Sequence, residues 1–168
     1  GTKLIALIYN GECFEWDAAP NNAVNTRATI IANAPTASRH MLVSTPDRHL
    51  VFFGTETVIG DKNTQDDMFI RFSSQEDLNT YTIRAENTAG SQRLAAGSKI
   101  MSAIKGRDAI YVWTDTALFL MQFVGSPFTF AFQQAGTNCG LIGKNAAVEV
   151  DGSAYWMSRN GFFNYDGQ

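Results

Sequence analysis

The sequence predicts an all-β fold built from antiparallel, four-stranded units. Short apolar runs with a period of two recur along most of the 168 residues. Tight turns separate them, and strands joined so closely pair antiparallel, because parallel neighbours need a connection of a dozen or more residues. Helical periodicity is weak almost everywhere. The best helical candidate, 22–32, contains Thr26, Thr29, Ile30 and Ile31, whose β-branched side chains favour a strand.

In chain order, residues 3–9 and 12–16 flank Asn10-Gly11, the strongest short hairpin signal. Residues 49–54 follow Pro46-Asp47 and precede Thr55-Glu56. Residues 68–73 lead through a polar turn at 74–77 to an expected strand over 81–84. Four successive strands are expected over 99–105, 109–114, 117–124 and 128–133, and three more over 146–150, 153–158 and 161–165.

The hairpin turns fall at Asn10, Thr55, Asp115 and Asn160, at intervals of 45, 60 and 45 residues. Four-stranded units at such a spacing read as β-propeller blades, here over 1–33, 38–87, 98–134 and 145–168. Three and a half blades do not close a ring, so the propeller is expected to be incomplete and the sequence to be an excerpt of a longer chain. A sandwich or barrel of the same strands is the rival architecture.

Charged residues make up 17% of the chain, below the usual quarter, which fits a surface covered by partners or a Thr-, Ser- and Asn-rich β protein. The net charge of −3 and the lack of a basic run argue against a direct grip on nucleic acid. No apolar run approaches the length of a membrane helix. Cys13 and Cys139 have no CxxC or His partner nearby and read as small buried thiols.

The chemical motifs are each better read structurally. Ser74-Gln75-Glu76-Asp77 with Tyr81 is similar to the Asp-box turn of sialidase-like propellers, but Leu78 stands where that turn has Gly. A glycosidase needs two carboxylates facing across a pocket. The acidic residues, among them Glu12, Glu56, Asp66 and Asp77, sit in or beside turns, where they are common for local reasons. Asp61–Asp67 lacks the Gly and closing Glu of a calcium loop. His40 and His49 bracket a Pro-containing turn without a third zinc ligand. Trp16, Trp113, Tyr155, Trp156, Phe162, Phe163 and Tyr165 sit on the hairpins and suit packing between blades, or, in a lectin, sugar platforms. Gly136, Gly140 and Gly143 read as positive-φ positions in a blade-to-blade connection. Within it, Gly136, Thr137, Asn138, Cys139, Gly140 and Lys144 form a candidate interaction loop on one face of the molecule.

Longer strings carry a resemblance. A-G-S-Q-R-L-A-A-G-S-K-I-M-S-A-I, W-T-D-T-A-L-F-L-M-Q-F-V-G-S-P-F-T-F, G-T-N-C-G-L-I-G-K-N-A-A-V and Y-W-M-S-R-N-G-F-F-N-Y-D-G resemble the tail accessory proteins of short-tailed bacteriophages, known as nozzle or DNA-stabilisation proteins. R-H-L-V-F-F-G and F-I-R-F-S-S-Q-E-D-L-N-T-Y extend the likeness upstream, with Phe72 and Tyr81 where that family usually has Trp. It covers roughly residues 38–167; residues 1–37 match more weakly. The resemblance implies a propeller-containing virion protein of the tail without enzymatic activity, cofactor or metal. It also implies a ring, typically a hexamer, below the portal and adaptor proteins. Such a ring extends the DNA channel, retains the packaged genome without sequence-specific binding, and supports tail fibres or the tail tip. The alternatives are a carbohydrate-binding propeller or receptor-binding adhesin, and a sialidase-like glycoside hydrolase.

Overall fold

A computed structural model describes residues 3–17, 26–45 and 47–167. They form four antiparallel sheets. The first is β1 (Lys3–Leu7), β2 (Cys13–Asp17) and β3 (Thr29–Ile30). The second is β4 (His40–Val43), β5 (Leu50–Phe53), β6 (Phe69–Phe72) and β7 (Gly90–Arg93). The third is β8 (Ile100–Lys105), β9 (Ile110–Thr114), β10 (Ala117–Gly125) and β11 (Thr129–Thr137). The fourth is β12 (Ala147–Val150), β13 (Ser153–Ser158) and β14 (Gly161–Tyr165). Each sheet is a meander in which every strand pairs with its sequence neighbour. The part of 22–32 that is described contains the two-residue strand β3 and no helix; residues 22–25 lie outside the described residues. Asn10 takes the positive φ of 57° that its hairpin turn requires.

The alternation of side chains decides how the sheets stack. In β5, Leu50 and Phe52 point into one apolar cluster with Cys13, Ile31 and Tyr81, while Val51 and Phe53 point into another with Val112, Phe119 and Phe130. In β9, Ile110 and Val112 share that second cluster, while Tyr111 and Trp113 enter a third with Ala154 and Trp156. A strand puts successive side chains on opposite faces. The four sheets therefore stack face to face in chain order, and the two middle ones are covered on both faces. Continuous runs such as Leu-Val-Phe-Phe and Ile-Tyr-Val-Trp, buried at every position, are the sequence consequence. The first strands of the second, third and fourth sheets touch: β4 lies against β8, and β8 against β12.

One expected strand is absent. Residues 81–84 are not a strand, and the second sheet is completed instead by Gly90–Arg93. Tyr81 is buried beneath the loop, edge-on to Phe52 at 5.8 Å, but Ile83 is exposed. Asn87 holds this loop together: its Nδ2 donates to Thr82 O at 2.9 Å, and its Oδ1 accepts from Ala89 N at 3.2 Å. The true edge strand, Gly-Ser-Gln-Arg, has no apolar run to reveal it. It begins with glycine because the Phe72 ring fills that space: a Cβ on Gly90 would lie 2.5 Å from Phe72 Cζ. The sheets thus span residues 3–30, 40–93, 100–137 and 147–165, the second and third reaching past their expected limits of 87 and 134.

A buried carboxylate fixes the connection between the first two sheets. Glu56 accepts hydrogen bonds from Thr36 N, Thr36 Oγ1, Ala37 N, Thr55 Oγ1 and Gly60 N. Burial opposes its ionisation, but these donors outweigh burial and hold its carboxyl below the usual range. No helix among the described residues is long and apolar enough to cross a membrane.

Candidate functional site

The expected interaction loop is an anchored connection between the third and fourth sheets. Gly136 and Thr137 belong to the end of β11. Asn138 alone of the six carries a positive φ, 52°; the expectation of positive φ at Gly136, Gly140 and Gly143 fails. Cys139 is buried, and its N–H donates to Thr116 O at 3.1 Å, while Leu141 N donates to Thr114 O at 3.0 Å. The segment is thus stitched to the β9–β10 turn. Glycine is needed at 140 for close approach, since a Cβ there would lie 2.1 Å from the Asp115 backbone. The hydrogen bond from Trp156 Nε1 to Cys139 O, at 2.6 Å, ties the same segment to β13. Lys144, by contrast, is exposed.

Sequence reasoning missed one constellation that looks chemical. His49 Nδ1 pairs with Asp47 Oδ2 at 2.6 Å, and His49 Nε2 with Thr88 Oγ1 at 2.9 Å. Ser44 Oγ donates to Asp47 Oδ1 at 2.8 Å, and Gln75 N donates to Thr88 Oγ1 at 2.8 Å. The order acid–imidazole–hydroxyl is that of a nucleophilic triad. Here, however, the imidazole is fully buried, and Phe72, Phe123 and Phe130 pack around it with ring centroids 5.1–6.2 Å away. No substrate reaches that ring. The network clamps the 74–88 loop to the strand β5 and, through Thr129 Oγ1 donating to Thr88 O at 3.1 Å, to β11. No local motif marks it, because Thr88 lies 39 residues from His49.

The other candidate groups are occupied locally. Asp77 caps its own turn by accepting from Asn79 N at 2.8 Å, and Asp61 accepts from Asn63 N at 3.0 Å. Asp66 and Asp67 pair with Arg93 and Arg39 at 2.7 and 3.1 Å. Among the described residues no group of three His, Cys, Asp or Glu side chains is placed to hold a metal ion. Burial pushes the Cys13 thiol up to about 11 and raises that of Cys139, so neither is a ready thiolate.

The aromatic residues divide into two sets. Trp113 and Trp156 lie 5.4 Å apart inside the third cluster, with Phe163 stacked on Trp156 at 5.7 Å and Tyr165 packed against the same cluster. They pack sheets together and offer no sugar platform. Tyr155 and Phe162 point the opposite way. With Val148, Val150 and Met157 they make the outer face of the fourth sheet, where each is 40–80% exposed. The outer face of the first sheet is similar: Leu4 and Ile30 are exposed, with Phe14 and Trp16 half-buried between them. An apolar patch shared by neighbouring strands marks an interaction surface more strongly than scattered exposed residues do.

A scan against protein-family models finds no match to this chain, and no curated protein matches it.

Proposed function

We propose that the chain is a structural segment of a bacteriophage tail nozzle, and that its four sheets are consecutive blades of an incomplete β-propeller. The carrying observation is the stacking. Two middle sheets are apolar on both faces and covered on both, while two end sheets are apolar on both faces and covered on one. Meander sheets, face-to-face stacking in chain order and touching first strands are all features of propeller blades. In this reading the outer faces of the first and fourth sheets pack against further blades. The blades present connecting loops for contacts with other subunits, with the portal or adaptor, and with fibre or tip proteins of the virion tail. The ring that results, a hexamer by the family resemblance, surrounds DNA without reading its sequence.

Trp113 and Trp156 exposed beside a deep acidic cleft would have counted against a structural role. Both rings are buried, and the acidic side chains described above are engaged in caps and ion pairs. Electron microscopy of the purified full-length protein tests the proposal. A closed ring, and the same ring on the tail axis of the virion, is the expected image. A monodisperse monomer that binds glycans would overturn it.

A further inference from the structure

We propose that Arg39, Lys99 and Lys144 form an oxyanion-binding site, suited to a phosphate group, where the first strands of the second, third and fourth sheets converge. The three cations occupy equivalent places in the repeat. Each stands 16 positions before a hairpin turn residue: Thr55, Asp115 and Asn160 respectively. Each lies just ahead of the first strand of its sheet. Because β4 touches β8 and β8 touches β12, a position repeated at this point in three sheets is brought to one place. The three side chains line a single cleft of about 300 Å³, together with Tyr9, His40 and Asp67.

The backbone holds the cations in position. Arg39 N donates to Phe53 O at 3.1 Å, Asp115 N donates to Lys99 O at 3.1 Å, and Lys144 sits in a turn closed by Ala146 N donating to Gly143 O at 3.0 Å. Arg39 is oriented further by Asp67, 3.1 Å from its Nε, and by the Tyr9 ring, whose centroid lies 5.0 Å from the guanidinium carbon. That leaves the terminal guanidinium nitrogens available as a planar fork for two oxygens of a phosphate. Among the described residues, neither Lys99 nor Lys144 forms an ion pair. The cations act on one another's surroundings. Burial first, then Lys144 and Arg39, hold the His40 imidazole below its usual range. Burial raises the Asp67 carboxyl, but Gln65, Arg39 and Lys99 lower it further. Three cations facing one carboxylate leave an excess of positive charge in a chain that is acidic overall. An oxyanion there meets one forked donor and two point charges.

Phosphate occurs free and within a nucleic-acid backbone, and two probes distinguish these sources. Amide NMR of the full chain is followed during titration with inorganic phosphate and, separately, with a single-stranded deoxythymidine 12-mer. Saturable shifts centred on Arg39, His40, Lys99 and Met101 are expected with at least one probe. Phosphate alone points to a small-anion site, and the 12-mer alone to a backbone site. The double variant Lys99→Glu/Lys144→Glu, on exposed positions, should weaken that binding tenfold or more and keep the wild-type spectrum elsewhere. Lys105→Glu, an equal change per residue at an exposed lysine at the opposite end of β8 from Lys99, should leave affinity within twofold. Absence of saturable shifts with both probes, or equal weakening by Lys105→Glu, overturns the site. Because the cleft lies within one subunit, neither result depends on ring formation.

Discussion

The middle sheets and the end sheets are made from the same kind of strand but live in different surroundings. β9 in the third sheet is buried at all five positions, while β14 in the fourth, also five residues, is buried at none and alternates between exposed and half-buried. Both carry large apolar residues on both faces: Ile110 and Val112 against Tyr111 and Trp113 in β9, Phe162 against Phe163 and Tyr165 in β14. A β-strand that is apolar on both faces needs a neighbour on each side. β9 has both; β14 has one. The difference is that the outer face of the fourth sheet carries large apolar side chains, Phe162 and Tyr155 among them, that nothing among the described residues covers.

The sharpest break in this comparison is Trp113→Ala. Trp113 is fully buried between the third and fourth sheets, and its truncation should cost about 3–5 kcal/mol, read as a fall in the denaturant midpoint at unchanged slope. A loss under about 1 kcal/mol would mean that these two sheets do not pack as described. Glu56→Ala comes next. It strands five donors at the connection between the first two sheets, and a loss of about 2–3 kcal/mol is expected.

The same residue sets a pH dependence. The folded state holds the Glu56 carboxyl below its ordinary value of 4.5. Its contribution is therefore fully present above that value and is lost as pH falls through the lower folded value. Urea midpoints measured from pH 6 downward should fall less steeply in Glu56→Gln than in the wild type; parallel curves would remove Glu56 from acid unfolding.

Gly140→Ala pushes a methyl group into the Asp115 backbone and should cost about 1–3 kcal/mol through displacement of the 138–141 segment. A silent substitution would show that the segment is not anchored. The smallest effect is expected at Phe162→Ser, on the outer face of the fourth sheet. Its stability cost should stay within about 0.5 kcal/mol in a monomeric sample, while assembly of the full-length protein should weaken. A thermal shift as large as that of Trp113→Ala would show that this face is already covered within the chain.

Much of the fold is written locally. The turn at Asn10-Gly11, the alternation in residues 153–165 and the uninterrupted apolar runs of β5 and β9 identify strands without reference to anything distant. The failure at 81–84 has an equally local cause in appearance and a distant cause in fact. Tyr-Thr-Ile-Arg alternates like a strand, but Tyr81 is spent on covering Phe52, and the hydrogen bonds of Asn87 keep its neighbours in a loop. Gly90–Arg93 becomes the edge strand because Phe72 offers it a partner, not because its own residues favour extension.

By itself the sequence determined the all-β class, the antiparallel pairing and the repeat, because these follow from turn chemistry and from side-chain period within a few residues. Only the tertiary structure decided which aromatic rings are core and which are surface. It alone showed that Asp47, His49 and Thr88 form a sealed clamp. It also brought Arg39, Lys99 and Lys144, separated by 60 and 45 residues, to one cleft. Burial, charge neighbourhood and convergence are properties of how sheets stack, and stacking is set by contacts between residues that no local pattern connects.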